Sequence, residues 1–258
     1  MPSSTDMFRL DGKLATIIGG SSGIGREIAL AYKGAGARVT VVGRDQGKLD
    51  AVAVALGGVV DGKPPAYSAD MRDVSAIGAV AKLIEADHGP VDIMVACQGT
   101  TVIKPMLEVG EAEYDTVIDT NLKSVFFSCQ EFGRRMVERR RGVIITIASL
   151  AAHNGWANAA AYSASKWGVV GLTQSLAAEW GDAGVRVNSI APGFFMTELN
   201  RERMPDARKA EARRRNAMHR MGELEELTGA AIYLASPASG FVTGATLRVD
   251  GGYLSSGI

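Results

Sequence analysis

The sequence lacks the features that mark secreted, nucleic-acid-binding or membrane proteins. It has only two cysteines in 258 residues, too few for a disulfide framework, so a reduced, cytoplasmic protein is the simplest interpretation. Lys plus Arg and Asp plus Glu number 28 each, and this zero net charge argues against general polyanion binding. The first residues, MPSSTDMFRLDGK, contain no apolar run that would predict a secretory signal.

One stretch without charged residues, 142–165, is long enough for a membrane span of about 20 residues. His153, Asn154 and Asn158 lie in its middle, so the stretch is predicted to form a strand, a loop and the start of a helix. The basic run RRMVERRR, 134–141, lies where a helix is predicted to end, and cations there complement the helix dipole. We therefore expect neither a membrane nor a nucleic acid as partner.

Short β-branched runs alternate with longer alanine-rich segments along the chain. The predicted strands are 14–18, 38–42, 65–69, 91–96, 142–148, 185–190 and 246–249, and the helical patterns between them include 73–87, 111–140, 160–181 and 223–234. Alternation of this kind predicts an α/β fold with a parallel sheet and helices on both faces. We expect one Rossmann-type, doubly wound domain over 1–258 with seven strands. The segment 194–221 has no strand pattern and is rich in Arg, Met and Ala, so it is predicted to be a substrate lid.

A glycine-rich turn, GGSSGIG, follows the first predicted strand and leads into the first helix. Glycines allow a tight turn with close backbone approach, and the free N–H groups of a helix start bind a pyrophosphate. The residues predicted to hold a dinucleotide here are Gly19, Ser21, Ser22, Gly23, Ile24 and Gly25.

The second predicted strand ends in VVGRD, where dinucleotide-binding folds choose between two cofactors. An acidic residue at this position holds the ribose hydroxyls of NAD, whereas an arginine accommodates the 2′-phosphate of NADP. Arg44 therefore favours NADP(H). An arginine in a solvated loop is the plainer alternative, and the neighbouring Asp45 leaves NAD(H) as a second possibility.

A second motif, AYSASKW, places Tyr162 and Lys166 four residues apart with only small residues between them. On a helix this spacing brings the two side chains together, and a nearby ammonium is expected to lower the pKa of the phenol from its usual value of about 10. Ser149 lies thirteen residues upstream of Tyr162, and Asn121 lies in the preceding helix. The alternative is an ordinary surface pair with two unrelated polar residues.

Together these motifs resemble the short-chain dehydrogenase/reductase family, from LDGKLATIIGGSSGIG (10–25) to VDGGY (249–253). The resemblance implies that Tyr162 is the general acid in ketone reduction and the base in alcohol oxidation. It further implies that Lys166 tunes Tyr162 and binds the nicotinamide ribose, that Ser149 holds the substrate oxygen, and that Asn121 supports a water-mediated proton relay to Lys166. A homotetramer and the absence of a catalytic metal follow from the same resemblance.

The family's other cofactor contacts map onto residues that match less closely. These are Asp70 and Met71 after the third strand, Ala96 and Gly99 around the end of the fourth strand, and Pro192, Gly193 and Thr197 after the sixth strand. Two departures stand out. Ile18 replaces the usual Thr before the first glycine, and Ala96-Cys97-Gln98-Gly99 replaces the usual N-N-A-G, which puts the adenosine-side contacts in doubt. Cys97 is expected to be a buried strand cysteine and not a redox group.

The substrate is expected to contact Ser149, His153, Trp156, Tyr162 and Phe194. Polar residues beside Ser149 favour a hydroxylated substrate such as a sugar acid or polyol, and the chain resembles the gluconate 5-dehydrogenase-like branch. A 3-ketoacyl-carrier-protein reductase is the alternative within the family. A catalytically silent dinucleotide-binding regulator and a methyltransferase on a similar βαβ start are alternatives of other classes, and neither explains Tyr162 and Lys166 together.

Overall fold

A computed structural model of the chain describes residues 5–59 and 62–255. The ends of the predicted domain, 1–4 and 256–258, lie outside the described residues. Seven strands form one sheet: β1 (Leu14–Ile18), β2 (Arg38–Gly43), β3 (Ala66–Ser68), β4 (Ile93–Ala96), β5 (Gly142–Ile147), β6 (Val185–Pro192) and β7 (Thr246–Val249). Their order is β3-β2-β1-β4-β5-β6-β7, and each adjacent pair is parallel. The predicted doubly wound α/β fold is confirmed.

Nine helices are found within the described ranges: α1 (Gly23–Gly34), α2 (Gln46–Ala55), α3 (Val74–His88), α4 (Glu111–Ile118), α5 (Ser124–Glu138), α6 (Ala160–Trp180), α7 (Glu198–Arg203), α8 (Asp206–Arg215) and α9 (Glu225–Ala235). The segment 194–221 contains two of these helices and no strand, although Phe195 forms an isolated bridge with Gly222. The single helix predicted over 111–140 is interrupted by a π-helical turn, Asp119–Lys123.

The strand residues alternate between two hydrophobic cores, one on each face of the sheet. Leu14 and Ile18 of β1 pack with α3, α5 and α6, whereas Ala15 and Ile17 pack with α1, α2 and α9. Since both faces are covered by helices, the strands are apolar at nearly every position, which is why β1 is buried throughout.

β2 and β3 lie on one side of β1, and β4 to β7 lie on the other. The direction in which successive strands are added to the sheet therefore reverses between β1 and β4. In open parallel sheets a ligand binds outside the carboxyl ends of the strands at such a point. The turns after β1, β4, β5 and β6 therefore form the expected binding edge.

The stretch 142–165 forms β5, a short 3-10 turn and the start of α6, as predicted. In the part of the chain that the structure describes, none of the helices combines the length and apolarity needed to cross a bilayer. Three arginines of the basic run 134–141 form ion pairs with the rest of the protein: Arg135 and Arg139 with Glu85, and Arg141 with Asp92.

Candidate active site

The glycine turn after β1 is closed so tightly that side chains do not fit in it. A Cβ at Gly25 would lie 2.3 Å from the carbonyl oxygen of Gly19, and a Cβ at Gly19 would lie 2.8 Å from the backbone nitrogen of Gln98. Gly19 and Gly23 also have positive φ angles of 77° and 52°, a region that favours glycine. This turn gives a ligand direct access to the backbone.

The first turn of α1 faces the same edge of the sheet. Ser22 precedes the helix in an extended conformation, and its side chain makes no capping hydrogen bond. The N–H groups of the first turn are thus left to an external acceptor, and the helix dipole favours an anionic one. The glycine turn and the helix start together fit the pyrophosphate of a dinucleotide.

Arg44 lies just after β2, exposed at the carboxyl edge of the sheet. Its neighbour Asp45 is the N-cap of α2 and accepts a hydrogen bond from the backbone nitrogen of Lys48 at 3.1 Å. The Asp45 carboxylate therefore caps a helix. This favours Arg44 over Asp45 as the residue that contacts the ribose or its 2′-phosphate.

Asp70 lies beside Arg44 at the end of the neighbouring strand. Arg72 donates to both carboxylate oxygens of Asp70, the shorter bond being 2.6 Å, and this bond together with the charge of Arg44 lowers the pKa of Asp70. Met71, between Asp70 and Arg72, is buried in the core. The adenosine contacts of Asp70 and Met71 stay predictions.

The two departures from the family pattern are partners in the sheet. Ile18 of β1 and Ala96 of β4 occupy the same register position, and both are buried in the same hydrophobic core. An apolar pair thus stands where the family pattern has a threonine and an asparagine. The loss of one polar residue is matched by the loss of the other, so no unpaired polar group is left at this position.

Introducing the family's asparagine alone, Ala96→Asn, is expected to lower the free energy of unfolding by about 1–3 kcal/mol, because its amide would be buried against Ile18. Adding Ile18→Thr should recover part of this loss, with a coupling energy of about 0.5–3 kcal/mol. Urea unfolding of the two single variants and the double variant measures that coupling. Ile17→Thr is the matched control because Ile17 lies in the opposite core, so its effect should add to that of Ala96→Asn.

Cys97 and Gln98 follow β4, which ends at Ala96. The prediction of a buried strand cysteine is therefore wrong, because Cys97 lies beyond the strand and is half-buried. Burial raises the pKa of its thiol to about 12, which keeps it protonated and unreactive at neutral pH. Gln98 donates from Nε2 to Ser124 Oγ of α5 at 3.0 Å, while its Oε1 is buried without a partner among the described residues. The bulkier side chain is thus tied to α5.

Ser149 follows β5 and begins the 3-10 turn Leu150–Ala152. Its Oγ accepts a hydrogen bond from the backbone nitrogen of Ala151 at 3.1 Å, and its hydroxyl lies close enough to Tyr162 to act on the pKa of the phenol. Tyr162 is half-buried in the first turns of α6. The two hydroxyls predicted to meet at the substrate oxygen are therefore adjacent.

Lys166 lies one turn further along α6 and is almost completely buried. Its Nζ is 5.8 Å from the centre of the Tyr162 ring and donates to the carbonyl oxygen of Ile147 at 2.8 Å. Burial lowers the pKa of Lys166 to about 8.

The prediction that Lys166 lowers the pKa of Tyr162 is wrong. Burial raises the pKa of Tyr162, and only the nearby Ser149 hydroxyl opposes that rise. The reason is that Lys166 is hydrogen-bonded to Ile147 instead of to the phenol oxygen, and its own burial disfavours its charge.

Asn121 is held at the centre of the π-helical turn between α4 and α5, a local geometry that is frequent at functional sites. Its Oδ1 accepts from the backbone nitrogen of Thr100 at 2.7 Å, and its Nδ2 donates to the Thr100 carbonyl at 2.9 Å and to Ser165 Oγ at 3.1 Å. A Cβ at Gly99 would lie 3.7 Å from both Asn121 Oδ1 and Lys166 Nζ. The two side chains thus converge over Gly99.

Ser165 is a site residue that the sequence analysis missed. Its hydroxyl donates to the carbonyl oxygen of Tyr162 at 2.7 Å and accepts from Asn121, so it joins the π-helical turn to α6. The signal was present in AYSASKW, where the small residues between Tyr162 and Lys166 are partly serines. A serine has a bonding role here that alanine lacks.

Three more predicted cofactor residues lie where β6 ends. Pro192 is buried at the end of the strand, and a Cβ at Gly193 would lie 2.7 Å from Asp250 Cα. Thr197 is the N-cap of α7, and its Oγ1 accepts from the backbone nitrogen of Asn200 at 3.0 Å.

Aromatic rings form a wall beside Tyr162. Trp156 stacks on Phe194 with 5.5 Å between ring centres and an interplanar angle of 7°, and its other neighbour is the Tyr162 ring at 6.3 Å. Phe194 in turn contacts Tyr253 at 5.2 Å. Tyr253 was not predicted as a site residue, because only the fold brings the end of the chain to Phe194.

His153 takes a different position from the other predicted substrate residues. It is exposed after the 3-10 turn, and its pKa is lowered by partial burial and by the nearby charge of Arg248, against the pull of Asp250. It therefore faces the end of β7, whereas Trp156 and Phe194 stack on each other beside Tyr162.

Comparison with known proteins gives matches over nearly the whole chain. Residues 19–254 match the family model described as enoyl-(acyl carrier protein) reductase. The chain is 40% identical over 252 residues to galactitol 2-dehydrogenase (L-tagatose-forming) of Cereibacter sphaeroides, with 96% of this chain and 97% of the relative covered.

Two solved structures are similar at the level of both sequence and fold. A short-chain type dehydrogenase/reductase from Mycobacterium marinum is 37% identical with a TM-score of 0.89, covering 96% of this chain and 98% of the other. A gluconate 5-dehydrogenase from Burkholderia cenocepacia, in complex with NADP and tartrate, is 35% identical with a TM-score of 0.92, covering 98% of this chain and 100% of the other.

Proposed function

Since the chain belongs to the short-chain dehydrogenase/reductase family and is an NAD(P)-dependent oxidoreductase acting on CH–OH groups, we propose that it interconverts a secondary alcohol and a ketone of a sugar acid or polyol with NADP(H). One observation carries the assignment of the site. The Ser149 hydroxyl lies close enough to Tyr162, beyond β5, to act on the pKa of its phenol, and the ammonium of Lys166 lies 5.8 Å from the Tyr162 ring. The silent regulator and the methyltransferase are set aside because this chain is an oxidoreductase.

In this proposal Ser149 and Tyr162 bind the oxygen of the reacting carbon together. In alcohol oxidation the phenol oxygen of Tyr162 accepts the hydroxyl proton, and in ketone reduction it donates that proton back. Ser149 keeps the substrate oxygen within reach of the phenol, and the Ala151 N–H fixes the Ser149 side chain for this task. NADP⁺, when bound, supplies the hydride acceptor for the carbon.

Lys166 and Asn121 act on the proton at Tyr162. In this role the Lys166 ammonium, 5.8 Å from the Tyr162 ring, offsets part of the cost that burial imposes on a Tyr162 phenolate, because opposite charges attract more strongly where the dielectric constant is low. A pKa near 8 also lets Lys166 exchange a proton close to neutral pH. Asn121, bound to Thr100 and Ser165, holds the π-helical turn over Gly99 where such a proton would leave towards solvent.

The residues proposed to hold NADP(H) are those of the glycine turn, Arg44, Asp70, Met71, Ala96, Gly99, Tyr162, Lys166, Pro192, Gly193 and Thr197. Support for NADP comes from three observations. Arg44 is exposed at the ribose edge, Asp45 is engaged as a helix cap, and the similar gluconate 5-dehydrogenase was solved with NADP.

Replacing Arg44 by Gln is expected to lower kcat/KM for NADP⁺ by about 10–100-fold, because a charge-assisted hydrogen bond to the 2′-phosphate contributes about 1.5–3 kcal/mol. The value for NAD⁺ should change by less than about threefold, since NAD⁺ carries no such phosphate. Steady-state kinetics with both cofactors measures the ratio, and Lys48→Gln, one turn into α2, is the control. An unchanged NADP⁺/NAD⁺ ratio in Arg44→Gln would contradict the role of Arg44.

The substrate class is tested by a panel of matched alcohols with NADP⁺, followed by NADPH absorbance. The proposal expects turnover of polyols such as galactitol or of sugar acids such as D-gluconate, and the polar groups beside Trp156, namely Asn154, Arg208 and Tyr253, support it. NADPH oxidation with a 3-ketoacyl thioester but with no sugar-derived ketone would favour the carrier-protein reductase alternative instead.

We also propose a single folding domain with 194–221 as its lid, and a cytoplasmic homotetramer. The fully exposed ring of Phe241, shortly before β7, supports burial of that end by another copy of the chain. Light scattering coupled to size exclusion measures the assembly, and a monomeric mass would contradict it.

A further inference from the structure

A cavity of about 280 Å³ opens beside the aromatic wall, on the side of Trp156 and Phe194 that faces α8. Its polar lining includes Asn154, Arg208 and Arg215. The cavity is next to the reacting groups, because Trp156 contacts the Tyr162 ring as well as Phe194. A ligand held at Tyr162 would have to pass the Trp156 ring to reach the cavity, because neither Tyr162 nor Ser149 is among the residues that line it.

The charges of the cavity are not balanced. Glu211 is its only acidic lining residue in the described part of the chain, and it bonds Arg214 and Arg215 at 2.7 Å each. These bonds lower the pKa of Glu211 to about 2, so it is ionised and its charge is neutralised by its own helix. Arg215 is bound in addition to Tyr253.

Arg208 is the cation that remains. It lies one turn before Glu211 on α8 and is half-buried. Among the described residues, its guanidinium forms neither an ion pair nor a hydrogen bond. A half-buried guanidinium next to stacked aromatic rings is partly shielded from water, so an anion reaching it gains more than it would on an open surface. With two arginines and one glutamate in the lining, the cavity carries one net positive charge.

We propose that Arg208 binds the carboxylate of the substrate, so that the enzyme acts on a sugar acid in preference to a neutral polyol. This rests on the proposed dehydrogenase function and selects between its two substrate classes. Because Trp156 lies between Tyr162 and the cavity, the carboxylate belongs at the far end of the molecule, several bonds from the carbon that is oxidised. Planar guanidinium and carboxylate groups pair by two parallel hydrogen bonds, which also fixes the orientation of the substrate.

Calorimetric titration of the NADPH complex with D-gluconate and with D-sorbitol tests the idea without relying on turnover, because the reduced cofactor cannot accept a hydride from either alcohol. The two compounds share a carbon skeleton and differ in the terminal carboxylate. We expect the wild-type protein to bind D-gluconate at least tenfold more tightly, and Arg208→Gln to weaken that binding by about 10–100-fold while changing sorbitol binding less than threefold. Arg213→Gln, exposed on the same helix and outside the cavity lining, is the control and should change neither.

Kinetics on the same variants separate this inference from the proposed function. Equal affinity for the two compounds, or a similar loss for both in Arg208→Gln, would overturn the role of Arg208 even if galactitol and sorbitol are oxidised. Absence of NADPH formation with every sugar-derived alcohol would overturn the dehydrogenase proposal, whereas tight gluconate binding that depends on Arg208 would still support the carboxylate site. Arg208→Lys should recover part of the affinity, because the charge is kept and the paired hydrogen bonds are lost.

Discussion

Tyr162→Phe is expected to lower kcat by about 10²–10⁴-fold, the contribution typical of a positioned general acid or base. The Ser149 hydroxyl acts on the pKa of the adjacent Tyr162 phenol, and among the described residues no titratable side chain forms a hydrogen bond with that serine. Phenylalanine keeps the ring and therefore its contact with Trp156, whose centre is 6.3 Å away. The variant should thus fold normally and lose only the proton transfer.

NADPH binding distinguishes a chemical defect from a structural one. The dissociation constant for NADPH, measured by fluorescence, should stay within about threefold of the wild-type value, because Tyr162 contributes a proton and not the phosphate contacts. Tyr114→Phe, on the exposed side of α4, is the matched control and should retain full turnover. A Tyr162→Phe variant with near-normal kcat would refute the catalytic assignment.

Lys166→Met is expected to reduce turnover about as strongly, since it removes the only buried ammonium near Tyr162 in the described residues. Its second effect is on stability. Methionine removes the cost of burying a charge, and wild type escapes that cost only at high pH, so the effect of the substitution on the free energy of unfolding depends on pH. The pKa of Lys166 is lowered by burial from 10.5 to about 8 in the folded protein. A difference of that size corresponds to about 3 kcal/mol.

The sign follows from the number of protons bound in each state. Below pH 8 Lys166 is charged in both the folded and the unfolded protein, so the full cost of burying the charge is present. Between pH 8 and 10.5 the folded state has released the proton while the unfolded state retains it, so stability rises with pH in this window. Methionine has no charge to bury and lacks this pH dependence.

The measurement is the difference in unfolding free energy between Lys166→Met and wild type at pH 7 and at pH 10. We expect this difference to shift by about 2–3 kcal/mol in favour of wild type at the higher pH. The constant loss of the hydrogen bond to Ile147 cancels in the comparison. Lys48→Met, on the exposed face of α2, should show no shift, and a pH-independent difference for Lys166→Met would mean that the lysine is not desolvated.

Much of the site could be predicted from the sequence because the spacing of nearby residues determines where their side chains lie. Tyr162 and Lys166 are one helical turn apart, and the glycines of 19–25 are tied to a strand–helix turn, so local backbone geometry alone places them. The alternation of β-branched and alanine-rich segments likewise predicted the parallel sheet, because burial on both faces requires it. Asp45 shows what local patterns miss. Its role as a helix cap is seen only in the structure, where α2 begins directly after it.

What the sequence by itself determined is therefore the doubly wound sheet and the identity of the local motifs, which follow from patterns within short segments, and the family resemblance of those motifs implied the reaction class. The tertiary structure decided what depends on residues distant in the chain. It paired Ile18 with Ala96 across two strands, tied Asn121 to Ser165, and brought Arg208 beside Trp156. It also reversed the expected pKa of Tyr162, because burial is a property of the packed protein that no spacing of four residues contains.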